Sequence, residues 1–141
     1  MVLHQRGATH IDALRANYEA AGVHAELTPF IEDTASAFAH ADIIVCRAGA
    51  STVTEIAAVG AAAIFVPFPS AVDDHQTTNA QFLVGAGGGW LVQQSDLTPE
   101  GLAKMLLNSE RPALVEIAEK AKNMQKINAT REVVAACEEL A

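Results

Sequence analysis

Two short aliphatic runs, Asp42-Ile43-Ile44-Val45-Cys46 and Ala63-Ile64-Phe65-Val66, limit the folds open to this sequence more than anything else in it. Neither has polar residues at alternate positions. That pattern fits a strand of a parallel sheet buried on both faces, not one with a wet face. Between them, Arg47-Ala48-Gly49-Ala50-Ser51 reads as a loop, and Thr52 to about Val59 as a helix ended by Gly60. Strand, helix and strand in this order make a βαβ unit. The expectation is an α/β fold, a Rossmann-like parallel sheet flanked by helices, with the first run as a central strand.

The alternation extends in both directions. Val2-Leu3-His4 reads as the end of a strand. A helix carrying Ile11, Leu14, Tyr18 and Ala21 follows and stops at Gly22. Val23 to Leu27 reads as a short strand bounded by Pro29, and Asp33 as the cap of a helix reaching about His40. After the second run, Pro67 and Pro69 stop the strand, Asp74 to Val84 is helical, and Gly85 to Gly89 turns the chain into a short strand at Trp90-Leu91-Val92. Thr98 caps a helix with proline at its first position, running to about Leu107. Leu114, Ile117, Ala118, Ala121 and Met124 mark another helix, and Val133, Val134, Cys137 and Leu140 the last. The chain begins at once with Val2-Leu3, as though a strand has lost what came before it.

Composition narrows the function. The 141 residues carry a net charge of −8, the reverse of the Lys/Arg footprint of a nucleic-acid binder or of a segment held to an anionic membrane. No apolar run approaches the roughly 20 residues of a membrane span, and the start lacks the charged-then-apolar order of a secretion signal. Cys46 and Cys137 give no disulfide framework and read as reduced thiols of a cytoplasmic protein.

In an open parallel sheet, ligands bind beyond the carboxyl ends of the strands. That directs attention to Pro29–Asp33, Arg47–Glu55 and Pro67–Asn79. The small residues after Arg47 let a ligand approach the backbone, and the helix start offers unpaired N–H groups and a positive dipole end suited to phosphate. A tight strand-to-helix turn explains the same glycine without any ligand. Glu55 has two readings. Thr52-x-x-Glu55 matches a capping box, which spacing alone favours. Alternatively, its two carboxylate oxygens accept from a vicinal diol. His75, Gln76 and Asn79 include pairs three and four apart that share a helix face and can read sugar hydroxyls. Asp73 or Asp74 reads as a helix cap, and the pair with His75 lacks a second set of metal ligands. Gly85 to Gly89 follows a helix and precedes a strand, the reverse of a dinucleotide loop, so it reads as a helix stop. Cys46, inside a strand, reads as buried filler and not as a nucleophile.

Taken together, three segments carry a resemblance. They are Phe30-Ile31-Glu32-Asp33, the run from Ala41 through Arg47 and Gly49 to Glu55-Ile56, and Phe65-Val66-Pro67-Phe68-Pro69 with Asp74-His75-Gln76 and Asn79-Ala80. The chain resembles glycosyltransferase family 28, the bacterial N-acetylglucosaminyltransferases of peptidoglycan synthesis. The resemblance implies a GT-B architecture, two Rossmann-like halves around a cleft, with residues 1–141 as most of the C-terminal, donor-binding half. It implies that the backbone of Ile31, with Phe30 beside it, reads uracil and that Glu55 binds the ribose hydroxyls. Gly49, Ala50, Ser51 and Thr52 would meet the diphosphate and sugar with Arg47 nearby. His75 and Gln76 would contact the sugar, and Asn79 would support their helix. The family's glycine-rich phosphate loop is not found here. The N-terminal half is also absent, and with it the acceptor site, the membrane-facing patch and the general base, so no catalytic residue is assigned in this chain.

The implied reaction is inverting transfer of N-acetylglucosamine from UDP-N-acetylglucosamine to the lipid-linked muramoyl-pentapeptide, without a metal or other cofactor. The full enzyme would be peripheral on the cytoplasmic face of the inner membrane, touching the membrane only through the missing half. The alternatives are a separate C-terminal subunit of a two-component glycosyltransferase and a non-catalytic nucleotide-sugar-binding domain.

Overall fold

The computed structural model describes residues 1–140, and the chain forms two compact units, Met1–Ala37 and Phe38 onward. The first contains β1 (Leu3–Gln5), α1 (Ile11–Ala20) and β2 (Glu26–Thr28). β1 and β2 are parallel, with Leu3 opposite Glu26 and Gln5 opposite Thr28. Leu14 of α1 is buried, and the Tyr18 hydroxyl lies 3.0 Å from His4 Nδ1 with the two rings edge to face. Burial, and then the charge of Arg6, hold the His4 pKa below its usual value.

A strand over Val23–Leu27 is not what forms. Gly22 takes φ 64°, and the N–H groups of Gly22 and Val23 donate to the carbonyls of Glu19 and Tyr18, each at 3.0 Å. This turn closes the open end of α1. It uses Val23 as part of the helix stop, so pairing with β1 begins only at Glu26. α2 (Thr34–His40) follows, capped as expected by Asp33, whose Oδ1 accepts the Ser36 N–H at 2.8 Å. The division between the two units falls within this helix.

The second unit runs β3 (Ile44–Cys46), α3 (Ala50–Val59), β4 (Ala63–Phe65), α4 (His75–Val84), β5 (Trp90–Leu91), α5 (Pro99–Leu107), α6 (Arg111–Asn123) and α7 (Ala129–Glu139). Its sheet is parallel with the order β3-β4-β5, and Phe65 stands between Cys46 and Leu91 in register. The parallel strands and intervening helices are the α/β fold the sequence predicts. β4 is the central strand, with Ala63, Ile64 and Phe65 all at 0% exposure. β3 is not. It pairs within its sheet only with β4, and Val45 is 45% exposed. The two aliphatic runs look alike as sequence, but which one lies in the middle depends on its partners.

α3 starts earlier than spacing predicts. Gly49, extended at φ −62° and ψ 148°, is the N-cap, and the Val53 N–H makes the first helical bond to its carbonyl at 3.0 Å. Thr52 therefore lies inside the helix, and the Thr52–Glu55 capping box does not form. Gly60 at φ 78° ends α3, and Lys122 of α6 donates to the Ala58 carbonyl there, placing a cation at the negative end of the dipole.

The core is made close by small residues. Phe65, Ile56 and Leu83 pack with Ala48, Ala57, Ala80 and Ala121. Gly85 to Gly89 serves this packing. The N–H groups of Gly87 and Gly88 donate to the Val84 and Leu83 carbonyls at 2.9 Å each, a Schellman stop with Gly87 left-handed at φ 77°. A Cβ on Gly88 would lie 2.9 Å from the Ala121 Cα, so only glycine lets α6 come this near. α5 begins as expected, with the Thr98 hydroxyl accepting the Gly101 N–H at 3.0 Å. Among the described residues, no helix is long and apolar enough to cross a membrane.

Candidate functional site

The carboxyl ends of β3, β4 and β5 converge on Arg47. Its Nη1 donates to the carbonyls of Val66 at 3.2 Å and Pro67 at 3.0 Å, where the chain leaves β4. Its Nη2 donates to Gln94 Oε1 at 2.6 Å, just past β5, and the guanidinium carbon lies 5.5 Å from the centre of the Phe68 ring. These partners are all neutral. Arg47 belongs to neither ion pair found among the described residues, Asp42–Arg111 and Glu116–Lys120. A full positive charge therefore stays at this end of the sheet.

Beside it stands the start of α3. Gly49 has no side chain to cap the helix, and among the described residues no side-chain cap is found at this start. Ala50 and Ser51 are exposed. Unpaired N–H groups, the positive dipole end and an uncompensated arginine all favour an anion here. Glu55 is also exposed, and its spacing puts it on the same face as Ser51 and Thr52, one turn further on. Released from any capping role, its carboxylate is left to accept hydrogen bonds from a ligand.

α4 is fastened to the same loop. Gln76 Oε1 accepts from the backbone N–H groups of Ala48 at 3.2 Å and Phe68 at 3.0 Å, and Asn79 Nδ2 donates to the Ala48 carbonyl at 3.1 Å. The carbonyl end of Gln76 is thus spent on the backbone, and its NH₂ group is the end that faces no such demand. His75, the first residue of α4, is exposed. Asp74 holds the N-cap position, yet its carboxylate takes no backbone N–H. Instead, the Thr77 hydroxyl donates to its Oδ1 at 2.7 Å, and Gln93 Nε2 donates to that hydroxyl at 3.1 Å. Asp73 and Asp74 are both left-handed, at φ 53° and 51°, a conformation that aspartate tolerates better than most residues. Neither is the backbone cap that the sequence suggests. Among the described residues, no three of His, Cys, Asp and Glu gather as metal ligands.

Phe30 and Ile31 belong to the first unit. Phe30 is 67% exposed and Ile31 is half-buried, and the Thr28 hydroxyl ties down the turn by donating to the Phe30 carbonyl at 2.6 Å. In the second unit, Phe68 and Thr77 of the Pro67–Asn79 segment join the site without a role assigned to them by sequence, and Gln93 and Gln94 join it from outside every segment the sequence singled out. The signal was available for the two glutamines. They follow β5, and the rule that ligands bind past strand ends applies to that strand as well.

Burial pushes the Cys46 thiol up to about 12, so little thiolate exists at neutral pH. Cys137 is exposed. At about pH 8, a disulfide reagent is expected to modify Cys137 in the native protein and Cys46 only on unfolding. Equal rates at both thiols would contradict the burial of Cys46.

The glycosyltransferase family 28 C-terminal domain profile matches residues 1–136. The chain is 76% identical over 140 residues to a Polaromonas naphthalenivorans protein named UDP-N-acetylglucosamine–N-acetylmuramyl-(pentapeptide) pyrophosphoryl-undecaprenol N-acetylglucosamine transferase, a match covering 99% of this chain and 39% of that protein. A Cupriavidus pinatubonensis protein of the same name is 56% identical, over 100% of this chain and 40% of its own length. In three dimensions the chain is similar to the crystal structure of Acinetobacter baumannii MurG, with a TM-score of 0.91 and 46% identity, covering 97% of this chain and 42% of that one. The chain thus spans about two fifths of the length of these relatives.

Proposed function

The chain belongs to glycosyltransferase family 28, as its C-terminal domain, and we propose that it holds the UDP-N-acetylglucosamine donor in the transferase step of peptidoglycan synthesis that its relatives are named for. One observation carries this reading. The α3 start has no side-chain cap and lies beside the ion-pair-free Arg47, at the carboxyl ends of parallel strands. That arrangement suits a diphosphate.

In this reading, Gly49 to Thr52 present their amides to the diphosphate, Glu55 accepts from the ribose hydroxyls, and His75 and the Gln76 NH₂ meet the sugar. Asn79 and the Gln76 carbonyl keep α4 against the loop after β3. The family resemblance gives the backbone of Ile31, beside Phe30, as the reader of uracil. The acceptor hydroxyl attacks the anomeric carbon with inversion, the bond from that carbon to the diphosphate oxygen breaks, and UDP carries away the electron pair. Charge then grows on the diphosphate, where a preoriented helix start and a fixed arginine stabilise it without reorganising.

The acceptor site, the base that takes the hydroxyl proton and any contact with the cytoplasmic face of the membrane fall to the part of the longer relatives that this chain does not span.

Calorimetric titration with UDP-N-acetylglucosamine, UDP and ADP tests the assignment. The expected result is measurable binding of both uridine nucleotides and at least tenfold weaker binding of ADP, a difference of about 1.4 kcal/mol. Equal affinity for UDP and ADP would turn the site into a generic phosphate site.

A further inference from the structure

We propose that Gln94 is a positioning residue of this donor site: a neutral acceptor that fixes the Arg47 guanidinium while leaving its charge free to act on the diphosphate. The inference rests on the donor-site reading above. Arg47 leaves β3 and Gln94 follows β5, at opposite edges of the three-stranded sheet. Their 2.6 Å hydrogen bond therefore reaches across the end of β4, where the Val66 and Pro67 carbonyls take the other guanidinium nitrogen. With the Phe68 ring at 5.5 Å, the head group is held by three oxygens and an aromatic ring. The support under Gln94 is itself braced, since the Gln93 carbonyl accepts from the N–H groups of Asp96 at 3.0 Å and Leu97 at 3.1 Å.

The chemistry of residue 94 is the informative point. A carboxylate there would accept from the same Nη2 and grip it harder, because charge-assisted hydrogen bonds are the stronger kind. Holding Arg47 for stability alone would therefore be served better by glutamate. What an amide offers over a carboxylate is neutrality. It orients the guanidinium and leaves the positive charge for an anionic ligand. In the donor reading that anion is the diphosphate, in the ground state and more so as the leaving group departs.

The test pairs thermal melting with calorimetric titration of UDP and of uridine, which lacks the diphosphate, for the wild-type protein, Gln94→Glu and Gln94→Ala. Gln94 is exposed, so both variants are expected to fold. Gln94→Glu is expected to melt at or above the wild-type temperature, to bind UDP about tenfold more weakly, and to bind uridine as the wild type does. Gln94→Ala, which keeps the Arg47 charge but loses one hold on it, is expected to lose about threefold for UDP. Unchanged UDP affinity in Gln94→Glu overturns the proposal. So does an equal loss for UDP and uridine, which would make Gln94 a purely structural residue. A wild-type protein with no preference for UDP over ADP overturns the donor reading and this proposal together, whereas the other outcomes leave that reading intact.

Discussion

Replacing Phe65 by alanine is expected to lower folding stability by about 3–5 kcal/mol, read as a drop in the urea midpoint at unchanged slope. Phe65 is at 0% exposure in the central strand, paired with Cys46 on one side and Leu91 on the other. Its surroundings are shaped to the ring. A Cβ on Gly89 would come within 3.0 Å of it, so glycine there makes the room that the aromatic fills. Truncation leaves a cavity in a core where Ala48, Ala57, Ala80 and Ala121 have no longer side chains to move into it, which limits the collapse that would offset the loss. Val45→Ala on neighbouring β3 is the control. At 45% exposure it is expected to cost about 0.5 kcal/mol or less. A loss below about 1 kcal/mol for Phe65→Ala would mean that the sheet repacks freely. The effect reaches the site as well, because Val66 and Pro67, whose carbonyls hold Arg47, directly follow Phe65.

Glu55→Ala is expected to weaken UDP binding by about 1.5–3 kcal/mol, roughly ten- to 150-fold, while stability stays within about 0.5 kcal/mol. The two halves of that statement separate the competing readings. A capping-box glutamate would show the reverse, a stability loss of about 1 kcal/mol with binding intact. The structure removes the stability half, since α3 begins at Ala50 with Gly49 as its cap and Glu55 lies exposed beyond the first turn. What remains is a carboxylate suited to ribose hydroxyls. Calorimetry on wild type, Glu55→Ala and Glu55→Gln distinguishes the cases, the glutamine being intermediate because one acceptor oxygen survives. Identical UDP affinity in all three would remove Glu55 from the site.

Much of the site was legible before the fold was known, and the limits fall in a regular place. Asp33 and Thr98 were readable as caps because a short polar side chain before a helix satisfies its own neighbours' amides. The stops at Gly22, Gly60 and Gly87 were legible for a similar reason. Each needs a left-handed backbone, and that need is local. The loop after β3 stood out by its small residues and its place past a strand. Arg47 was legible as a cation near that loop, but its ties to Val66, Pro67 and Gln94 were not. Those contacts join residues far apart in the chain and exist only once β3, β4 and β5 lie side by side. Asp74 misled because its carboxylate had two nearby uses, a backbone amide or the Thr77 hydroxyl, and the left-handed turn selected the hydroxyl.

The sequence by itself determined the α/β alternation, the helix stops and the short loops past the strand ends. All of these follow from backbone sterics and from hydrogen bonds between near neighbours. Tertiary structure alone decided that β4 and not β3 is the central strand, that Thr52 lies within its helix, and that a neutral glutamine past β5 holds the arginine. Each of those depends on which strands pair and in which register, a choice made by burial of the whole apolar core and not by any short stretch of residues.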